Sequence, residues 1–106
     1  MLLANLVFCL DRMGETKSAF ALMHEANRAF KPDADALLIE GRLLARTGDY
    51  NGALEIFRKS IDRFPKDVRG WEEVANIYTK QGVLEMAAMF SEKARDLKGK
   101  VKAKRT

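Results

Sequence analysis

Apolar residues recur along the chain at helical spacing, and the stripes are interrupted at regular intervals. Leu37, Leu38, Gly41, Leu44 and Ala45 form one stripe, Thr47-Gly48-Asp49 breaks it, and Ala53, Leu54, Ile56, Phe57, Ser60, Ile61 and Phe64 form a second. This pattern predicts two amphipathic helices joined by a tight turn. Gly14 and Gly82 stand 34 residues before and after Gly48, and each divides a similar pair of stripes. Four further columns keep that period: Leu10, Leu44 and Tyr78; Ala19, Ala53 and Ala87; Ala26, Ser60 and Ala94; and Phe30 with Phe64. Such self-similarity is the signature of a repeat architecture. Asp33 and Asp67 are placed to cap the first helices of copies two and three, and Asp49 to cap a second helix. Pro32 and Pro65 fall between copies, where a helix must stop.

The small columns have a mechanical reason. Two antiparallel helices approach closely only where their side chains are small, so Gly41 or Ala75 on a first helix is expected to face Ala53 or Ala87 on the second. With few β-branched residues and only two prolines, the composition supports an all-α chain of helix pairs.

The stretch Trp71-x-x-Val74-Ala75-x-x-Tyr78 resembles the opening of a tetratricopeptide repeat, and Leu37-x-x-Glu40-Gly41-x-x-Leu44 is a looser version of it. Ala53-x-x-x-Phe57, followed by Ser60 and Pro65, resembles the second half of that signature. The resemblance covers about residues 3 to 98. Glu40 stands where an aliphatic residue is expected and Ser91 where an aromatic is expected, while Leu3 and Leu10 replace the Trp and Tyr in copy one. The resemblance implies a right-handed superhelix of three helix pairs, an α-solenoid, at about 1–33, 34–67 and 68–98. Residues 99–106 then form a basic tail or an extension of the last helix.

In a stacked array each second helix buries one face against the next repeat. That face carries Phe20, Met23, Asn27 and Phe30 in copy one, and Leu54, Phe57, Ile61 and Phe64 in copy two. In copy three it becomes Ala88, Ser91, Arg95 and Lys98, the polar outer face that a terminal repeat needs. The first helix is instead apolar on nearly every side, which is usual for a helix covered on both sides. The chain is therefore expected to be the C-terminal part of a larger repeat protein, or to cover that helix by self-association.

The family resemblance further implies a concave groove, lined by the first helices, that takes a peptide or helix of a partner protein. Carried over by register, the groove holds Asn5, Phe8 and Arg12 from copy one. Copy two adds Asp35, Leu38, Arg42 and Arg46, and copy three adds Arg69, Glu72, Asn76 and Lys80. Arg42, Arg46, Arg69 and Lys80 would make it positive and favour acidic segments. The subtype that grips a C-terminal carboxylate is not matched. Its positions fall on Ala4, Phe8, Ile39, Arg69 and Glu73, of which only Arg69 is of the required type.

Charge sharpens one further feature. Arg95, Lys98, Lys100, Lys102, Lys104 and Arg105 face a single acid, Asp96, so the net charge of +4 resides in the tail and the body is near neutral. Such a tail is a solubilising helix end or a contact for nucleic acid, an anionic membrane surface or an acidic partner. No aromatic residue interrupts it, which weighs against single-stranded nucleic acid. The methionine-rich patch of Met86, Met89 and Phe90 is read as packing or as an adaptable self-association surface.

Candidate chemistry changes the picture least. His24 is the only histidine and Cys9 the only cysteine, so neither a disulfide nor a Cys/His site is expected. Cys9 is read as a buried small hydrophobe. The opening MLLANLVFCL has no basic leader, no cleavage site and too few residues to cross a bilayer, so it is read as a core helix of a cytoplasmic protein. No catalytic residue, cofactor or metal is expected. The reading is of a protein-interaction scaffold, with a self-assembling unit or a tail-borne adaptor as the alternatives.

Overall fold

In the computed structural model the backbone is described for residues 2–105 and the side chains for residues 5–99. Six α-helices follow one another: α1 (Leu2–Arg12), α2 (Thr16–Ala29), α3 (Ala34–Arg46), α4 (Tyr50–Arg63), α5 (Val68–Gln81) and α6 (Leu84–Arg105). There is no strand among the described residues. The three repeat glycines sit in the turns within each pair, all left-handed: Gly14 at φ 85°, Gly48 at 93° and Gly82 at 79°. That backbone is cheapest for glycine, which accounts for glycine standing in this column in all three copies.

The caps follow the sequence. The Asp33 carboxylate accepts from the Ala36 amide, that of Asp67 from the Arg69 amide, and that of Asp49 from the Gly52 amide at 2.9 Å. Each such cap is worth about 1 kcal/mol. In copy one Glu15 occupies the cap position of α2 and makes no side-chain capping bond.

The chain divides into two compact units, Met1–Ile56 and Phe57–Thr106, with the division falling inside α4. In the first unit α2 packs against both α1 and α3. Val7, Ala19, Met23 and Leu43 form one buried cluster, with Leu10, Phe20, Leu22, Ala36 and Ile39 packed around it. Val7 and Ala19 occupy the columns of Gly41 and Ala53, and all four are buried. Glu40 is a departure from an apolar core, being only 5% exposed on α3. Its carboxylate accepts a hydrogen bond from the Asn27 amide at 2.8 Å, and His24 Nδ1 lies 3.4 Å away.

In the second unit α6 lies along α5. Phe90 fills the place between Trp71 and Tyr78, with ring centroids 5.6 and 5.7 Å away, so it belongs to packing. The Trp71 indole donates to the Pro65 carbonyl at 3.0 Å, and the Arg58 guanidinium to the Tyr78 hydroxyl at 2.6 Å. Trp71 and Tyr78 thus tie α5 to α6, to α4 and to the loop before α5. Ile61 of α4 lies against Gly70 of α5 closely enough that an added β-carbon would meet it at 3.2 Å.

Two expectations change. Cys9 is exposed, because Val7 and Leu10 take the inward side of α1 and turn the thiol outward. Phe30 is 75% exposed, because α2 ends at Ala29 and the extended backbone of Phe30 carries its ring off the helix face.

Candidate partner-binding surfaces

On α1, Asn5, Phe8 and Arg12 recur at intervals of three and four and share one exposed side. The Arg12 guanidinium lies over the Phe8 ring, 5.6 Å from its centroid. On α3, Asp35, Arg42 and Arg46 share an exposed side in the same way. The two helices are joined at one end by Asp11, whose Oδ2 lies 2.9 Å from Arg46 Nη1 and whose Oδ1 accepts from the Thr16 hydroxyl at 2.9 Å. Asp11 was not among the sequence candidates. Its signal was a carboxylate just before a turn glycine, within reach of the helices on either side.

Leu38 does not belong to this surface. At 1% exposure it is among the most buried side chains of the protein, so it serves the core and offers nothing to a partner. A leucine one turn into an amphipathic helix is drawn inward by the area it buries, worth about 2 kcal/mol.

On α5 the candidates Arg69, Glu72, Asn76 and Lys80 fall on one side at intervals of three and four. Arg69 spends its charge locally: Nε donates to Asp67 Oδ1 at 3.0 Å and Nη2 to Oδ2 at 2.7 Å. This pairing holds the Asp67 carboxyl below its ordinary value, against the opposing effect of partial burial. Two of the four cations assigned to a positive groove, Arg46 and Arg69, thus carry acids of their own chain.

The structure also joins residues that the sequence kept apart. Glu72, Ala75 and Asn76 of α5 and Ser91, Ala94, Arg95 and Lys98 of α6 line a cleft of about 240 Å³. Its floor is formed by the small buried residues Ala75 and Ala94, and Lys98 Nζ donates across it to Glu72 at 3.1 Å. Two side chains read as the start of a basic tail therefore stand beside two read as groove. The side chains of Lys100, Lys102, Lys104 and Arg105 lie outside those described. The face Ala88, Ser91, Arg95 and Lys98 is exposed throughout. Met89 is exposed as well, at 61%. Among the described residues no group of three or more acidic, histidine or cysteine side chains could hold a metal ion. No helix among them is long and apolar enough to cross a membrane.

Comparison with known proteins settles the class. Residues 34–77 match the sequence model of the family described as Tetratricopeptide repeat. The chain has the tetratricopeptide-repeat fold. Solved structures agree over nearly its whole length. PcrH, crystallised in complex with the chaperone binding region of PopB, superposes with a TM-score of 0.83 at 22% identity, over 91% of this chain and 77% of that one. SycD, the type III secretion translocator chaperone of Yersinia enterocolitica, gives 0.85 at 20% identity, over 91% and 72%. MamA gives 0.84 at 24% identity, over 93% of this chain and 57% of that one. These likenesses are of tetratricopeptide-repeat architecture. No curated protein matches the sequence.

Proposed function

We propose that this tetratricopeptide-repeat chain is a binding module, not an enzyme, and that it holds a peptide or helix of another protein on the exposed sides of its first helices. The observation that carries the reading is the surface of α1 and α3. Asn5, Phe8, Arg12, Asp35, Arg42 and Arg46 are all exposed, although the helices beneath them are fixed by a buried core. A rigid frame that presents polar and cationic groups loses little entropy when it captures an extended segment. That a solved structure of the same fold contains a partner's binding region supports this class of role. Arg12, Arg42 and Arg46 outnumber Asp11 and Asp35 at this surface, which favours an acidic segment. On α5, Asn76 and Lys80 are exposed as well and are open to a partner.

The test is capture of partners from native lysate by the wild-type chain and by the Arg42→Glu, Arg46→Glu double variant, with circular dichroism as the folding control. The reading requires that a specific partner be retained by the wild type and lost by the folded variant. Equal capture by both would overturn it.

A further inference from the structure

The cleft between α5 and α6 is lined by columns that carry different chemistry in the preceding copy. Glu72, Ser91, Arg95 and Lys98 occupy the columns of Leu38, Phe57, Ile61 and Phe64. An apolar set is thus exchanged for a carboxylate, a hydroxyl, a guanidinium and an ammonium. The floor stays small and buried, with Ala75 and Ala94 each 4% exposed. Solubility requires only that such a face be polar. It does not require that its donors converge on a hollow.

Here they converge. Asn76 stands one turn after Glu72 on α5, and Ser91, Arg95 and Lys98 follow at intervals of four and three on α6, so that they border one cleft. Lys98 Nζ is engaged by Glu72 Oε2 at 3.1 Å. Among the described residues the side chains of Asn76, Ser91 and Arg95 make no hydrogen bond or ion pair. Each offers N–H or O–H donors, and the guanidinium fork matches a planar acceptor with two oxygens.

Charge selects the acceptor. Arg95 and Lys98 against Glu72 leave one surplus positive charge at the cleft, which a carboxylate neutralises. A phosphate dianion would exceed it beside the Glu72 carboxylate. An apolar helix laid on these columns would strip Arg95 and Lys98 of water without supplying an acceptor. That a carboxylate fits is shown by Glu72 itself, since Lys98 already holds it. Lys102 and Arg105 continue the interval of four and three along α6, which suits a segment bearing more than one acid.

We propose that the α5–α6 cleft is a carboxylate-binding site for an acidic peptide segment, seating an aspartate or glutamate side chain on Arg95 with Asn76 and Ser91 as neutral donors and Lys98 shared with Glu72. The site belongs to other helices than the α1 and α3 surface, so either can fail alone.

The probe is a synthetic peptide with glutamates at helical spacing, beside a twin with glutamines in their place. Each is titrated into the full isotopically labelled chain, and the readout is the NMR signals of Arg95 Nε and Asn76 Nδ2. Both signals should move with the glutamate peptide and stay still with its twin. Arg95→Gln, followed at Asn76, should weaken binding about threefold to fivefold, as expected for an exposed ion pair. Glu72→Gln should tighten it about twofold to fivefold by freeing Lys98 and removing a like charge. Arg42→Glu with Arg46→Glu should leave the affinity within about twofold at physiological salt, where distant charges are screened. Circular dichroism checks that each variant is folded. Unmoved signals, an equal response to the glutamine twin, undiminished binding by Arg95→Gln or weaker binding by Glu72→Gln would overturn the proposal. So would signals that answer to phosphatidylserine vesicles and not to the peptide.

Discussion

Asn27 of α2 and Glu40 of α3 form a part-buried side-chain pair in which a carboxylate is held by an amide, with Nδ2 and Oε1 2.8 Å apart. The Glu40 side chain is 7% exposed, and the 46%-exposed His24 completes its surroundings at 3.4 Å. Leaving a buried carboxylate short of a donor costs more than the hydrogen bond itself contributes. Asn27→Ala should therefore lower stability by about 1–3 kcal/mol in urea unfolding. The double variant Asn27→Ile, Glu40→Val installs the apolar residues that stand in these columns further along the chain, Ile61 and Val74, and should return to within about 1 kcal/mol of wild type or exceed it. A double variant no more stable than Asn27→Ala would show that the pair is not the determinant.

Ser60 offers the reverse case. Its hydroxyl is buried at 1% exposure and has no hydrogen-bond partner, while Ala26 and Ala94 occupy its column in the other copies. Ser60→Ala removes an unsatisfied polar atom without opening a sizeable cavity. Thermal unfolding should show it neutral or stabilised by up to about 2 kcal/mol. A clear loss of stability would mean that the hydroxyl is bonded in solution.

Gly48 isolates backbone strain from packing. It has φ 93°, and a β-carbon added there would meet nothing within 4 Å. Gly48→Ala should cost about 1–2 kcal/mol through the left-handed backbone alone, and Gly48→Asn less. Both changes should appear in chemical denaturation with the slope unaltered. Equal stability of the alanine variant would show that the turn can re-form with ordinary angles.

Asp67 sets a pH dependence whose sign follows from its lowered pKa, caused first by the hydrogen bond from Arg69. A carboxyl whose folded pKa lies below its unfolded one stabilises the fold above the unfolded value, and that contribution disappears as pH falls through the folded value. Wild type should thus lose stability relative to Asp67→Asn as pH drops from about 5 towards 2. The gap should shrink in high salt, since Arg69 is half exposed. Parallel acid-unfolding profiles would remove Asp67 as the source.

The frame of the molecule was legible because it is written three times. Gly14, Gly48 and Gly82 mark turns that only a left-handed residue fits, and Asp33, Asp49 and Asp67 mark helix starts through bonds to amides two or three residues on. Surface roles were less legible, because register locates a side chain on a helix but not the neighbour that reaches it. Leu38 was assigned outward and is core. Arg46 and Arg69 were read as free charge, and each meets a carboxylate that spacing along one helix does not reveal. Cys9 was assigned inward on composition, although its column already held Leu43 and Ile77, residues that need a preceding helix to cover them.

The Asn27–Glu40 pair has a consequence for assembly during folding. The repeats share a period and nearly share a shape, so a second helix has more than one first helix on which it could settle. If α2 settled on α5, Asn27 would be set against the Val74 column and Glu40 would lose its donor; if α4 took the face of α3 that α2 covers, Ile61 would be pressed onto a carboxylate. Each wrong match strands a polar group out of water, a penalty of about 1–3 kcal/mol. One amide and one carboxylate therefore act as an address, telling otherwise interchangeable modules which neighbour is theirs.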